Sequence, residues 1–160
     1  MRRFYGNLIN SKIITSFDLL DKETMLKQLY IKNYALIDTL DLSFYSGLNV
    51  ITGETGAGKS IIIGALGLIL GNRADISVVD KNSGKCIVEG CFDMANNEIK
   101  NFLISYELDI DDELKIRREI TVQGKSRAFI NDTPVGLSEL KELSSLLVDV
   151  NSQNQAYFFA

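Results

Sequence analysis

The sequence predicts an α/β fold, on three observations. Short segments of alternating polarity recur through the chain. Stretches with apolar residues at helical spacing lie between them. Within the first half, a short apolar run, a glycine-rich loop and a longer apolar run follow one another as strand, turn and helix.

That last stretch organises the rest. Gly53-Glu54-Thr55-Gly56-Ala57-Gly58-Lys59-Ser60 fits G-x-x-x-x-G-K-[ST], the P-loop of nucleoside triphosphatases. Leu48–Thr52 before it is expected as a short buried strand, and Ser60–Leu70 after it as a buried helix. Gly53, Gly56 and Gly58 let the backbone approach a phosphate closely. N–H groups from about Gly56 to Ser60 then face one concavity, to which the helix adds its positive end. Lys59 reaches the β- and γ-phosphates, and the Ser60 hydroxyl binds Mg²⁺. The expected cofactors are ATP and Mg²⁺.

Composition sets the bounds. A chain of 160 residues that is 46% apolar can build one domain with a core. Its net charge of −4 marks it as no obvious polyanion binder. Cys86 and Cys91 are spaced for neither a common zinc pattern nor a disulfide framework, and read as strand residues in a reducing compartment. No apolar run approaches a membrane span, and Met1–Phe4 lacks the pattern of a signal peptide, so a cytoplasmic protein is expected.

The elements follow in order. Residues 1–24 show weak periodicity and are expected to lie outside the core, with a second methionine, Met25, just after them. Leu26–Asp38 is expected as a strand with Leu29 and Ile31 on one face and Tyr30, Lys32 and Tyr34 on the other. Leu40, Leu42 and Phe44 alternate with polar neighbours in a second strand, and Ser46-Gly47 turns the chain toward the loop. Gly71 stops the helix. Lys85–Met94 is a strand. Asn97–Leu108 is a helix on Ile99, Phe102, Leu103 and Tyr106, and the acidic stretch after it is a solvated turn. Leu114–Val122 and Ser126–Asn131 pair around Gln123-Gly124-Lys125. Asn131–Pro134 is a turn, and Ser138 is expected to cap a final helix on Leu140, Leu143, Leu147 and Val150.

In these stretches the chain resembles a known family. Gly53–Ser60 as GETGAGKS, Gly71–Asp75 as GNRAD and Arg117–Asn131 as RREITVQGKSRAFIN are similar to the N-terminal half of the ATPase head of the RecN family, SMC-like bacterial proteins of DNA double-strand-break repair. Met25–Ile37 resembles that family's opening strand. The resemblance implies an α/β P-loop NTPase fold, an ABC/SMC-type head lobe with an antiparallel β-subdomain, over residues 25–160. It implies that Gln153 is the Q-loop glutamine, contacting Mg²⁺ and positioning the attacking water, although Asn151, Ser152 and Asn154 depart from the family's usual neighbours. It places Asn33 and Tyr34 where such heads meet the nucleotide base; a polar group in an ordinary turn is the other reading of Asn33. It further implies two partners, the C-terminal half of the head and a second head in an ATP-sandwiched dimer. The signature motif, Walker B carboxylate and catalytic glutamate of such heads belong to that C-terminal half.

Two other functions compete. A self-contained NTPase needs its own carboxylate for Mg²⁺, for which Leu146-Leu147-Val148-Asp149 offers Asp149; the end of an amphipathic helix fits the same leucines. A nucleotide-binding interaction module without turnover is the third. DNA contact is a separate expectation: Arg117, Arg118, Lys125 and Arg127 cluster on the hairpin and can meet phosphates, or form a solvated strand face with Lys115. Arg73 either reaches phosphate or DNA, or complements the C-terminal end of the helix dipole.

Overall fold

The structure, a computed structural model, describes residues 24–52, 57–79, 84–94 and 96–147. Six strands make one sheet: β1 (Leu26–Tyr34), β2 (Ile37–Ser43), β3 (Lys85–Asp93), β4 (Glu113–Thr121), β5 (Ser126–Ile130) and β6 (Thr133–Val135). They are ordered β2-β1-β3-β4-β5-β6, and every neighbouring pair is antiparallel. Among the described residues three α-helices accompany the sheet: α1 (Ala57–Ile69), α2 (Asn97–Ser105) and α3 (Leu137–Leu147). A 3₁₀ turn, Ile76–Val78, follows α1.

Alternation decides which sheet face is covered. Leu29, Ile31, Cys86, Val88, Leu114, Ile116, Ile120, Ala128 and Ile130 point inward and are buried with Ile62, Ala65, Leu68 and Ile69 of α1. Ile99, Phe102 and Leu103 of α2, and Leu140, Leu143 and Leu147 of α3, complete the same core. The opposite face carries one row across four strands: Tyr30, Glu89, Arg117 and Phe129 in register. There Arg117 lies 4.6 Å over the Phe129 ring and pairs with Asp132 at 2.7 Å.

Several expected elements differ. The first strand ends at Tyr34, not Asp38, because the chain reverses at Ala35-Leu36 and returns as β2. Tyr34 is buried, although alternation from Leu29 and Ile31 puts it outside. Asn33 takes a left-handed φ of 54°, which breaks the alternation and turns Tyr34 inward. Leu48–Thr52 forms no strand, and Leu48 and Val50 are 64% and 44% exposed. Among the described residues the sheet is made of β1 to β6, and Leu48–Thr52 belongs to none of them. Asn49 instead closes a loop onto Tyr45, donating to its carbonyl at 2.7 Å and accepting its N–H at 3.1 Å.

Asn131-Asp132 is a two-residue turn with φ of 45° and 64°, and Thr133-Pro134-Val135 goes on as an edge strand. Helix α3 begins at Leu137, so Ser138 sits inside its first turn. Gly136 holds the cap position, because its carbonyl already accepts from Leu140 N–H at 3.2 Å. Val150 and residues 1–23 lie outside the described residues. No helix among the described residues is long and apolar enough to cross a membrane.

Candidate phosphate-binding site

Helix α1 opens at Ala57, so Gly58, Lys59 and Ser60 occupy its first turn. The first four N–H groups of a helix have no partner within it. No acidic side chain stands in this turn, so no carboxylate within it offsets the positive end of the helix. Lys59 is half-buried and Ser60 exposed. The turn therefore offers N–H donors, a cation and a hydroxyl, a donor set that suits a phosphate with a divalent cation. Gly53, Glu54, Thr55 and Gly56 lie outside the described residues, as do Asp149 and Gln153.

The other end of α1 is fixed by specific groups. Gly71, at φ 86°, ends the helix in a Schellman motif: Asn72 N–H donates to Gly67 O at 2.8 Å and Gly71 N–H to Leu68 O at 3.2 Å. A Cβ on Gly71 would meet Lys141 Cγ at 2.6 Å. Halfway along, Gly64 admits the Tyr34 hydroxyl, which lies 2.6 Å from where a Cβ would stand. The β1–β2 turn thus meets α1 one helical turn beyond Ser60. Beside it, Asn33 donates its amide N–H to Lys85 O at 2.9 Å.

The basic hairpin is divided. Arg118 is 1% exposed and faces the core. Its Nη1 donates to Leu68 O at 3.2 Å and Asn72 O at 3.3 Å, and its Nη2 to Ser126 Oγ at 2.5 Å. Arg117 is held by Asp132, Glu89 and Phe129. Lys115, Lys125 and Arg127 are exposed. Arg118 is thus no partner for DNA phosphates, and the group that meets the end of α1 is Arg118 rather than Arg73, which is exposed. Sequence reasoning missed this because Arg118 shares a period-two face with Leu114, Ile116 and Ile120; that register was the available signal.

The AAA domain family matches residues 28–160. The chain belongs to that family. Among curated proteins, the DNA repair protein RecN of Vibrio cholerae is 47% identical over 131 residues, covering 81% of this chain and 24% of that protein. RecN of Bacillus subtilis is 39% identical over 132 residues, covering 81% of this chain and 23% of that protein. The chain thus spans about a quarter of the length of these relatives. Among solved structures, the Smc head domain of Pyrococcus furiosus bound to the C-terminal domain of ScpA superposes with a TM-score of 0.60 at 23% identity, over 78% of this chain and 34% of that one. The recombination mediator RecF superposes at 0.60 and 21% identity, over 75% of this chain and 30% of that one. At that identity the likeness concerns the fold, and it agrees with the ABC/SMC-type head lobe with an antiparallel β-subdomain expected from the motifs. This AAA-family lobe therefore carries a sequence relationship to RecN and a structural one to SMC and RecF heads.

Proposed function

We propose that this chain is the ATP-binding lobe of a RecN-like ATPase acting in recombinational repair of DNA double-strand breaks, a cytoplasmic protein. The observation that carries the reading is the first turn of α1: the Gly58-Lys59-Ser60 end of a G-x-x-x-x-G-K-S sequence in a helical turn with no acidic residue, beside a sheet that superposes on SMC heads. The sequence relationship to RecN supplies the repair context.

In this reading Gly53, Glu54, Thr55, Gly56, Ala57 and Gly58 wrap the phosphates with backbone N–H groups. Lys59 neutralises the β- and γ-phosphates, and Ser60 and Gln153 hold Mg²⁺. Gln153 also positions the attacking water, and Asn33 lies at the base. Bound Mg²⁺ would offset charge on the transferring phosphoryl group. The remaining chemistry comes from two partners: the C-terminal half of the head, and a second head closing over the nucleotide. Leu146 and Leu147 lie in α3, so the run before Asp149 does not begin as the apolar strand that a self-contained NTPase requires.

Calorimetry with MgATP, wild type beside Lys59→Ala, with phosphate release followed in the same samples, tests the reading. Binding by wild type, its loss in the variant and no turnover are expected. Steady turnover by the lone chain would favour a self-contained NTPase, and equal binding by both proteins would remove the phosphate loop from the account.

A further inference from the structure

We infer that Arg118 is a positioning residue for the phosphate loop: from β4 it grips the last turn of α1 and so sets where the first turn stands. The inference rests on the proposed nucleotide site and adds a residue that does not touch nucleotide.

A buried guanidinium is an expensive choice for a core position, and an apolar side chain of similar volume is often as stable or more so. Arg118 is among the largest fully buried side chains. No carboxylate pairs with it among the described residues; its partners are two carbonyls and a hydroxyl. Burial lowers its pKa from the ordinary arginine value, and nothing offsets that. What the residue gains is the negative end of α1. Leu68 O lies in the last turn of α1, where it also accepts from Gly71 N–H, and Asn72 O lies just past the helix end. The planar fork of the guanidinium fixes direction as well as distance. Its second nitrogen is tied to Ser126 on β5, so the clamp is anchored across two strands.

Helix α1 needs such a clamp. Its 13 residues span about 20 Å, so displacement at one end reaches the other. Gly64 and Gly67 lie in its interior, and glycine there weakens a helix relative to alanine. Those glycines admit Tyr34 and Asn72, so the helix exchanges intrinsic stability for close contacts. A third element meets the same turn. Ser144 Oγ of α3 lies 2.9 Å from Leu70 O, its one proton shared with the carbonyls of Leu140 and Lys141.

The test compares wild type, Arg118→Gln, Arg118→Lys and, as a control, Leu103→Ala on α2, each well below its melting midpoint. Two quantities are measured: MgATP affinity, and hydrogen exchange of the Ile61–Gly64 amides without nucleotide. Those amides bond the carbonyls of the loop-bearing turn. Arg118→Gln is expected to weaken MgATP about tenfold or more and to lose exchange protection at Ile61–Gly64. Arg118→Lys keeps one donor and should fall between. Leu103→Ala should lower the melting midpoint yet leave both quantities near wild type. Wild-type protection in folded Arg118→Gln, or an equal loss in Leu103→Ala, overturns the inference. Failure of wild type to bind MgATP would refute the nucleotide site, while the exchange comparison still decides the role of Arg118. Should Arg118→Gln not fold, Arg118→Lys carries the same comparison.

Discussion

Asn131 shows how much one residue can hold. It is 5% exposed and sits at φ 45° in the turn between β5 and β6. Its Oδ1 accepts from Lys115 N–H at 2.8 Å, its Nδ2 donates to Asp109 O at 2.8 Å, and its own N–H donates to Lys115 O at 2.9 Å. Asparagine tolerates the left-handed region better than most residues, and its amide serves both strangers at once. Alanine here would leave a Lys115 N–H without its partner and keep the unfavourable φ. Asn131→Ala is therefore expected to destabilise the chain by about 2–3 kcal/mol. Asn131→Gly removes the same hydrogen bonds but relieves the strain, and should recover about 1 kcal/mol of that loss. Urea unfolding midpoints of the three proteins check both values. An Asn131→Ala midpoint equal to wild type would mean that water replaces the amide without penalty.

At the scale of elements, the hairpins were legible because their code is local. Period-two alternation marks β2, β3, β4 and β5, and the Gln123-Gly124-Lys125 turn lies where it was expected. The features that were not legible depend on the third dimension. Tyr34 turns inward through one left-handed residue, and Arg118 is buried because the end of α1 stands over it. β6 escapes notice because its middle residue is a proline, which only an edge strand accepts. Within the candidate site, the helix was expected from Ser60 and opens three residues earlier, at Ala57, and the grip on its far end was not legible. Strand β3 was read correctly as the place of both cysteines, and a prediction follows from it. Burial pushes the Cys86 and Cys91 thiols up to about 11, helped at Cys91 by its hydrogen bond to Glu113. The folded chain then holds these protons more tightly than the unfolded chain, whose thiols titrate near 9.0. The thiols' contribution to stability should thus be constant below that value and be lost as pH rises from about 9 toward 11. At pH 8 each thiolate is about a hundredfold scarcer than in free cysteine. Labelling with an aromatic disulfide should be slow at both positions in the native chain and rapid in urea. Rapid labelling of the native chain would show that β3 opens readily.

For the whole molecule, the decisive asymmetry is between a finished core and an unfinished flank. The helix-covered face of the sheet is buried, with Leu29, Ile31, Val88 and Ile116 at zero exposure. The chain leading to the phosphate loop is the reverse: Tyr45, Leu48 and Val50 are 75%, 64% and 44% exposed, and Ile63 on α1 is 41% exposed. Tyr45, Leu48 and Val50 stand within six residues of one another, and a contiguous exposed apolar patch marks a surface that another body covers. Three quarters of the length of the curated relatives lies beyond what this chain matches, enough for a second lobe. If that lobe packs here, charges on the flank will harm association and spare the fold. Leu48→Asp with Val50→Asp is expected to change the unfolding free energy of this chain by no more than about 0.5 kcal/mol for each exposed site. The same pair should abolish co-purification with a co-expressed C-terminal segment from a full-length RecN relative, which wild type retains. Lys59→Ala should still co-purify, since its side chain is assigned to the proposed nucleotide site and not to the flank. Retained association by the double variant would move the lobe contact elsewhere, most directly to the open sheet face around Tyr30 and Phe129. A large loss of stability in the isolated variant would instead mean that the flank already packs within this chain.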